Sequence, residues 1–506
     1  MASQESKDDP QQADPDGSPG KRTKPTRKRT RRIRLIAFFV AHTLGAITSV
    51  QAIMSTRTAQ GSIAWAISLN TVPYVAVPAY WIFGRSKFDG YHLKRHTSVL
   101  AESKVEQNAI RLLREGGMLF EAQTPAAQNR KRLLENLAQM PVTRYNDADL
   151  LIDGEETFDA IIASINRATE YVLVQFYIIH ADGLGNRLKD ALIAKANEGV
   201  RVCLMFDALG SHSLPAAYLR QLTDAGVKTA AFSTTKGLQN RFRINFRNHR
   251  KIVVLDGKEA FVGGHNVGDE YLGKDDVFTP WRDTHVCVRG PVAMEAQVAF
   301  NEDWNWATGE HLELNWTPQR ASEGDVLALC LPTGPADTFE TGTLLLLDLI
   351  NSANKSVWIA TPYFVPDQQF VSALQLASLR GVDVRILVPE QYDNIVVGLT
   401  TYSYLEELER AGIKFHWYTG GFMHQKVILV DELTAAIGTA NFDNRSMRLN
   451  FEVTMLLEEE QFAQEVKQML EADLKNSRHA SATEYSDQAL PFRFAVRFSR
   501  LFAPIQ

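Results

Sequence analysis

Apolar and polar positions divide the chain into two long apolar stretches and a longer region of short, alternating segments. Residues 33–55 and 61–83 are each 23 positions long and carry few charges. At about 1.5 Å per residue, either stretch is long enough to cross about 30 Å of hydrocarbon. We therefore predict a transmembrane helical hairpin over residues 33–84, although His42 and Gln51 weaken the first span. A secretory signal followed by one span is the alternative.

The pattern after the hairpin occurs twice. Helices alternate with short apolar strands, which indicates an α/β fold with mainly parallel sheets. The repeat predicts two pseudo-symmetric halves around a shared cleft, and two independent domains with separate sites are the alternative. The matching segments are Ile161–Gln175 with Leu346–Ala360, Ala191–Leu204 with Ala373–Leu387, and Asn248–Asn266 with Met423–Asn441.

These patterns predict five segments. They are a disordered basic tail over 1–32, the hairpin over 33–84 with spans 33–55 and 61–83, a helical linker over 85–140, the first half over 141–320, and the second half over 321–506 with a C-terminal amphipathic segment.

Basic residues are concentrated beside the apolar stretches. Nine of them and no acidic residue lie between Lys21 and Arg34, whereas the net charge of the chain is −5. The connection between the spans carries only Arg57, so the positive-inside rule predicts that both flanks of the hairpin face the cytoplasm. An acidic remainder does not favour nucleic-acid binding. Three cysteines without metal-type spacing are interpreted as reduced: Cys203, Cys287 and Cys330.

One chemical motif occurs in both halves with the same spacing, H-x-K-x4-D-x6-G-G/T-x-N. The first copy supplies His249, Lys251, Asp256 and Asn266, and the second supplies His424, Lys426, Asp431 and Asn441. Histidine and lysine two positions apart on a strand point to the same face. The glycine turn then allows the asparagine to approach the same place.

This combination of side chains suits a phosphate diester. Lysine and asparagine would bind the non-bridging oxygens at Lys251, Lys426, Asn266 and Asn441. One histidine would attack phosphorus and the other would protonate the leaving oxygen, because an imidazole titrates near neutrality. The motif aspartates complete the candidate catalytic set. By strand parity they face away from the histidines, and we interpret them as structural.

The chain resembles the phospholipase D superfamily and, within it, bacterial cardiolipin synthases that have an N-terminal transmembrane hairpin. The resemblance covers residues 33–500. It rests on Asn248–Lys251, Gly263–Tyr271, Trp281–His285, Thr361–Asp367, Asn441–Ser446 and Asn450–Glu452. One departure is Gly264, and another is Thr439, where the superfamily often has serine.

The resemblance implies two phospholipase D-like halves around one cleft, without a metal or other cofactor. It implies that His249 is the nucleophile, that His424 is the general acid and then the base, and that Asp283 and Glu452 orient the imidazoles. It also implies transfer of a phosphatidyl group between two phosphatidylglycerol molecules at the bacterial inner membrane, with anionic phospholipids as partners. The second substrate, phosphatidylglycerol or phosphatidylethanolamine, and a homo-oligomer are left open.

Three other functions remain to be weighed: a lipid hydrolase, a nuclease and a non-catalytic membrane scaffold. Two segments with alternating basic and apolar residues are candidates for contact with anionic lipid. They are residues 241–247 and 492–502. An edge strand is the alternative for the first, and packing on the domain is the alternative for the second.

Overall fold

The computed structural model describes residues 27–56, 58–84, 88, 91, 108–235, 245–322 and 324–506. The chain divides into two compact units, Met1–Gly84 and Arg85–Gln506. Residues 1–26 of the predicted tail, residues 85–87, 89–90 and 92–107 of the predicted linker, and residues 241–244 lie outside the described part of the chain.

The described part of the N-terminal unit contains three helices, α1 (Arg27–Ser55), α2 (Ala59–Thr71) and α3 (Pro73–Phe83). Among the described residues, Thr30–Ser55 is the helix long and apolar enough to cross a membrane, with a mean hydropathy of 1.7. The second predicted span is divided at Val72, because Pro73 has no N–H to continue the helix. Helix α1 starts at Arg27, so residues 27–32 of the predicted tail are helical.

Close packing joins these helices. A side chain at Gly45 would bring its Cβ to 2.2 Å from the Leu69 carbonyl oxygen, so α1 approaches α2 at a position that only glycine permits. Polar contacts supplement the packing, since Asn70 donates to Ser49 over 3.1 Å and the hydroxyls of Ser55 and Tyr80 lie 2.9 Å apart.

The C-terminal unit contains a 16-stranded sheet in the order β20-β14-β13-β11-β16-β17-β19-β10-β1-β9-β7-β6-β2-β3-β4, with β5 pairing with β19. The strands of the first half are β1 (Thr143–Ile152), β2 (Tyr171–Phe176), β3 (Arg201–Asp207), β4 (Lys228–Phe232), β5 (Arg247–Asn248), β6 (Ile252–Leu255), β7 (Glu259–Gly263), β8 (Trp281–Arg282) and β9 (Thr284–Arg289). The strands of the second half are β10 (Val326–Thr333), β11 (Ser356–Ala360), β12 (Phe364–Val365), β13 (Asp383–Pro389), β14 (Lys414–Tyr418), β15 (Phe422–Met423), β16 (Val427–Val430), β17 (Thr434–Gly438), β18 (Phe442–Asp443), β19 (Asn450–Glu458) and β20 (Ser477–His479).

The strand order is nearly a mirror series about the β1–β10 pair, which confirms the two predicted halves. The outer strands β2-β3-β4 and β11-β13-β14 are parallel, as strand–helix–strand units require. The inner strands of each half pair antiparallel, and the antiparallel β1–β10 pair joins the halves into one sheet.

Helices cover both faces of the sheet. They are α4 (Pro125–Ala138), α5 (Asp153–Arg167), α6 (Gly183–Asn197), α7 (Ala216–Asp224), α8 (Val292–Thr308), α9 (Thr341–Ser352), α10 (Gln368–Leu379), α11 (Ile395–Tyr402), α12 (Leu405–Glu409), α13 (Asn444–Arg448), α14 (Glu460–Lys475), α15 (Thr483–Ser486) and α16 (Leu490–Ser499). Each half has its own core under its paired helices, α5 with α6 and α9 with α10. A third core, under α8 and α14, contains strands of both halves.

Two predictions about individual residues can be judged here. The three cysteines are free and buried, as expected. The segment 241–247 is described only at its end, where Phe246 is 2% exposed and Arg247 begins β5. This end of the segment is therefore packed into the domain.

Candidate active site

Both motif histidines follow two-residue strands that pair with the opposite half. β5 ends just before His249 and runs parallel to the start of β19, so the His249 amide donates to the Phe451 carbonyl over 2.9 Å. β15 ends just before His424 and runs parallel to β8, so the His424 amide donates to the Arg282 carbonyl over 2.7 Å. Each histidine is thus fixed by backbone hydrogen bonds to a strand of the other half.

The carboxylates predicted to orient the imidazoles come from those same partner strands. The His249 Nδ1 lies 2.9 Å from Glu452 Oε2, and the His424 Nδ1 lies 2.8 Å from Asp283 Oδ2. Both carboxylates are fully buried. Because Nδ1 donates to a carboxylate in each pair, Nε2 is the nitrogen available for chemistry.

Electrostatics favour neutral imidazoles beside charged carboxylates. Burial lowers the pKa of His249, and the Glu452 charge opposes this decrease. Burial likewise lowers the pKa of His424 to about 3, and Lys426 adds to the effect. Although burial alone raises the pKa of Glu452, His249 and Lys251 bring it below its usual value. Burial alone would also raise the pKa of Asp283, but Lys426, His265 and His424 together bring it well below its usual value.

The two motif lysines lie beside the histidines. Lys251 Nζ donates to the His249 carbonyl over 2.8 Å, and Lys426 Nζ donates to the His424 carbonyl. Burial lowers the pKa of Lys251 to about 7 and that of Lys426 to about 8. Glu452 opposes the decrease at Lys251, whereas each ammonium disfavours the other. Two ammonium groups so placed form a site that an anion would stabilise.

The motif asparagines differ in the hydrogen bonds that their side chains already make. Asn266 is engaged at both ends of its amide, since Oδ1 accepts from the Ile178 amide over 3.1 Å and Nδ2 contacts the Tyr271 hydroxyl over 3.1 Å. Asn441 is 5% exposed, and its Oδ1 has no hydrogen-bond partner among the described residues. The structure therefore brings both asparagines into the buried region, with Asn266 more tightly fixed.

Asp256 and Asp431 stand at the other end of β6 and β16 from the histidines. The Asp256 carboxylate accepts hydrogen bonds from the amides of Thr169, Glu170 and Tyr171 and from the Thr169 hydroxyl, over 2.8–2.9 Å. Asp431 accepts from the backbone amides of residues 354–356 in the same way. The Asp256 carboxylate therefore stabilises the start of β2, and the Asp431 carboxylate stabilises the start of β11. These contacts agree with a structural role and give no support to a catalytic one.

The departure from the superfamily at Gly264 has a steric cause. A Cβ at this position would lie 2.0 Å from Asp283 Oδ1, so no side chain fits beside the carboxylate that holds His424. In the second half the corresponding Thr439 hydroxyl accepts a hydrogen bond from the Val453 amide over 2.9 Å, and it contributes to the lowered pKa of Glu452.

Sequence reasoning missed a buried polar layer beneath the motif. Arg250 lies between His249 and Lys251 in the first motif and donates to Asp303 over 2.9 Å, to the Glu452 carbonyl and to the Thr333 carbonyl. Its counterpart Gln425 donates to Asp473 over 2.7 Å. The aspartates occupy corresponding positions in α8 and α14, so an extension of the repeat into these helices would have indicated them.

Aromatic rings line the histidines on the outer side. The Tyr177 ring lies 5.0 Å from the His249 ring, and the Trp281 ring lies 5.1 Å from the His424 ring. Trp281 also borders a cavity of about 750 Å³, whose walls include His180, Glu270 and Asp393. The cavity thus adjoins the second histidine.

Comparisons with known proteins show the family to which the chain belongs. The sequence model of the family described as "Cardiolipin synthase, PLD-like domain" matches residues 161–304 and 346–474. A protein named cardiolipin synthase A from Pseudomonas fluorescens Pf-5 is 47% identical over 468 residues, which are 92% of this chain and 96% of that protein. Another of the same name, from Pseudomonas putida W619, is 45% identical over 92% of this chain and 97% of that protein.

A solved structure supports the fold alone. Phosphatidylserine synthase from Haemophilus influenzae Rd KW20 matches with a TM-score of 0.56 at 18% sequence identity, covering 74% of this chain and 99% of that chain. The full-length matches, together with the duplicated site, place this chain in the family of cardiolipin synthases that are built from phospholipase D-like domains.

Proposed function

We propose that this protein is a cardiolipin synthase that transfers a phosphatidyl group from one phosphatidylglycerol to another and releases glycerol. The observation that carries the proposal is the pair of buried imidazoles, each held at Nδ1 by a carboxylate of the other half and flanked by an ammonium group. The similarity to cardiolipin synthase A over 92% of the chain supports the choice of lipid.

In the first half-reaction the phosphate of phosphatidylglycerol lies between Lys251 and Lys426. The Nε2 lone pair of His249 forms a bond to phosphorus, and the bond from phosphorus to the glycerol oxygen breaks. His424 gives its Nε2 proton to that oxygen, so glycerol leaves as a neutral alcohol. A phosphatidyl group remains on His249.

In the second half-reaction a second phosphatidylglycerol supplies its terminal hydroxyl. His424 takes the hydroxyl proton, the oxygen bonds to phosphorus, and the phosphorus–nitrogen bond breaks. Cardiolipin is released and both imidazoles return to their starting state. An acceptor held in place favours transfer over hydrolysis, because effective molarity can exceed the concentration of water.

Binding of the substrate enables His424 to take up the proton that it later donates. With the site empty its pKa is about 3, largely from burial and from the Lys426 charge. A bound phosphate places negative charge beside both lysines, and this raises the pKa of the neighbouring imidazole. Proton uptake therefore accompanies binding, and His424 becomes an acid only when a phosphate is present.

We place the protein in the bacterial inner membrane with its catalytic unit on the cytoplasmic side. The apolar helix Thr30–Ser55 and the basic flanks of the apolar region support this location. The phospholipid substrate supports it further, because a two-chain lipid stays in a bilayer.

The experiment that tests the function is a product assay in phosphatidylglycerol vesicles with EDTA present. Wild type is compared with His249→Ala and His424→Ala, and we expect cardiolipin plus glycerol from wild type alone. Phosphatidic acid as the only product would instead identify a lipid hydrolase. Failure of the wild type to turn over any lipid would contradict both enzymatic assignments.

A second experiment separates the roles of the histidines. A phosphatidyl ester of p-nitrophenol has a leaving group that needs no protonation, so His424→Ala should release about one equivalent of p-nitrophenol and stall as a phosphatidyl-enzyme. His249→Ala should give no burst. A burst from His249→Ala, with the adduct on His424, would reverse the assignment.

A further inference from the structure

The last helical segment of the chain has an exposed apolar face. Helix α16 continues as a 3-10 helix over Arg500–Ile505. Five large apolar side chains on this segment are 42–77% exposed, and we call them the terminal stripe: Leu490, Phe494, Phe498, Leu501 and Phe502. Their spacing of three or four residues keeps them on one side of a helix. Ring centroids 6.1 Å apart, then 5.6 Å apart, connect the three phenylalanines.

The opposite face of the same segment is fixed to the domain. Val496 and Ser499 are buried, and the Phe492 ring packs 5.6 Å from the ring of Tyr402. At the end of the chain the Gln506 carbonyl accepts a hydrogen bond from the Arg445 amide over 2.7 Å. The stripe therefore faces outward because the other side of the helix is already packed.

This last contact ties the segment to the active site. Arg445 lies in α13, a few residues after the motif residue Asn441. The Arg445 guanidinium donates to the side-chain oxygen and the carbonyl of Asn245, which lies just before β5 and the nucleophile His249. The terminal segment thus contacts Arg445 of the second half, which in turn contacts the loop before His249 in the first half.

Basic side chains flank the stripe. Arg493 is exposed, Arg497 donates to the Tyr485 hydroxyl over 2.8 Å, and Arg500 lies 3.8 Å from Glu407. The Arg497 side chain remains 52% exposed despite its contact. An apolar aromatic stripe bordered by arginines fits an anionic lipid surface, because the rings enter the headgroup region while the guanidinium groups stay beside the phosphates.

We propose that the terminal stripe inserts into the surface of an anionic phospholipid bilayer. It thereby holds against the bilayer the loops that carry Asn441 and precede His249. The inference rests on the proposed function, since a lipid phosphate must reach His249 from a bilayer. The flanking arginines favour lipid over a second copy of the chain, because two copies meeting at this face would bring like charges together.

The first test measures insertion directly in the full-length protein, reconstituted in bilayers that contain phosphatidylglycerol. Because all three native cysteines are buried, a cysteine introduced by Phe498→Cys is the thiol that a fluorophore labels. Leu433→Cys is the matched control, since Leu433 is 39% exposed in the turn after Asp431, at the end of β16 away from His424. Spin-labelled lipids should quench the fluorophore at 498 at least about twofold more than at 433.

Equal quenching at the two positions overturns the proposal. The proposal is also overturned if lipid does not quench the fluorophore at 498 and the unlabelled Phe498→Cys protein forms a disulfide between two copies, because that result assigns the face to a dimer.

A second test uses Phe494→Ser combined with Phe498→Ser. Cardiolipin formation from vesicles should fall at least about tenfold, whereas turnover of short-chain phosphatidylglycerol dissolved as monomers should stay within about twofold of wild type. Equal losses on both substrates would mean that the stripe only stabilises the domain. Wild type that makes no cardiolipin from either substrate refutes the proposed function, and the quenching result stands apart from that outcome.

Discussion

Lys251 is a charged side chain held where water is excluded, and this position has a cost for folding. Its pKa is about 7 in the folded chain against an ordinary value of 10.5, mainly because of burial. Between these values the unfolded chain binds more protons than the folded chain, so stability rises with pH across this interval. Below pH 7 the lysine is charged in both states, and its burial lowers the free energy of unfolding by the full amount.

We therefore expect Lys251→Met to abolish cardiolipin synthesis while raising the melting temperature by a few degrees near pH 7. The gain should shrink as the pH rises from 7 to 10.5, because the folded chain then holds a neutral lysine and the cost of removing its proton falls as the pH approaches the unfolded-state pKa. Calorimetry over this pH range measures the effect, with Lys258→Met, a change of an exposed lysine, as the control. A Lys251→Met protein that is less stable than wild type at every pH contradicts the argument.

At the scale of single elements, the turn after β7 has no room for a side chain at position 264, because the Asp283 carboxylate fills the space beside it. A Cβ at Gly264 would meet the Asp283 carboxylate at 2.0 Å. We expect Gly264→Ser to displace that carboxylate from His424 and to lower kcat by about 10²- to 10⁴-fold, the usual range for loss of acid–base catalysis. Thr439→Ser keeps the hydroxyl in the second half and should retain activity close to wild type. Full activity in Gly264→Ser would show that the turn moves freely.

The turn after β6 makes a separate prediction, for stability alone. Asp256 sits at φ 54°, in the left-handed region, and its carboxylate binds three backbone amides. We expect Asp256→Ala to lower the free energy of unfolding by about 1–3 kcal/mol, allowing for screening by water, with little change in kcat of the folded fraction. Denaturant unfolding measures this effect.

The sign of its pH dependence is fixed by the pKa of Asp256. Burial alone would raise the pKa, but the three amides bring it below its usual 3.8. The stabilisation is therefore present above pH 3.8 and is lost as the pH falls below it. Loss of kcat with unchanged stability in Asp256→Ala would return the residue to the catalytic set.

The sequence placed the histidine and lysine of each motif on one strand, and this was wrong: they lie in the short segments between β5 and β6 and between β15 and β16. Local spacing did place the two side chains of each motif together. It did not predict that β5 pairs with β19 and β15 with β8, since a two-residue strand has no periodicity of its own. Asp283 and Glu452 were found through the resemblance. Arg250 and Asp303 were missed, because the repeat was not extended into α8 and α14, where Asp303 and Asp473 occupy corresponding positions.

At the scale of the whole molecule, the histidine of each half is held by a carboxylate of the other half, and we call these two contacts the crossed pairs. Glu452 holds the imidazole of His249, and Asp283 holds that of His424. We expect Glu452→Gln and Asp283→Asn each to lower kcat on phosphatidylglycerol by about 10²- to 10⁴-fold.

A p-nitrophenyl ester should distinguish these two variants. It should restore the first half-reaction in Asp283→Asn, because its leaving group needs no acid, and it should not restore it in Glu452→Gln. Stopped-flow release of p-nitrophenol gives the rate of this step. Equal rescue of both variants would contradict the assigned division.

The crossed pairing also bears on how such a chain could arise. A single ancestral half would have held a histidine without its carboxylate and a carboxylate without its histidine, so two identical copies had to associate before either was useful. Duplication and fusion of the gene for such a half would make the association permanent. The two copies could then diverge, and in this chain tyrosine lies beside one imidazole and tryptophan beside the other. A mutation of the carboxylate in one half consequently changes the reactivity of the histidine in the other half. We therefore expect the two halves to evolve together.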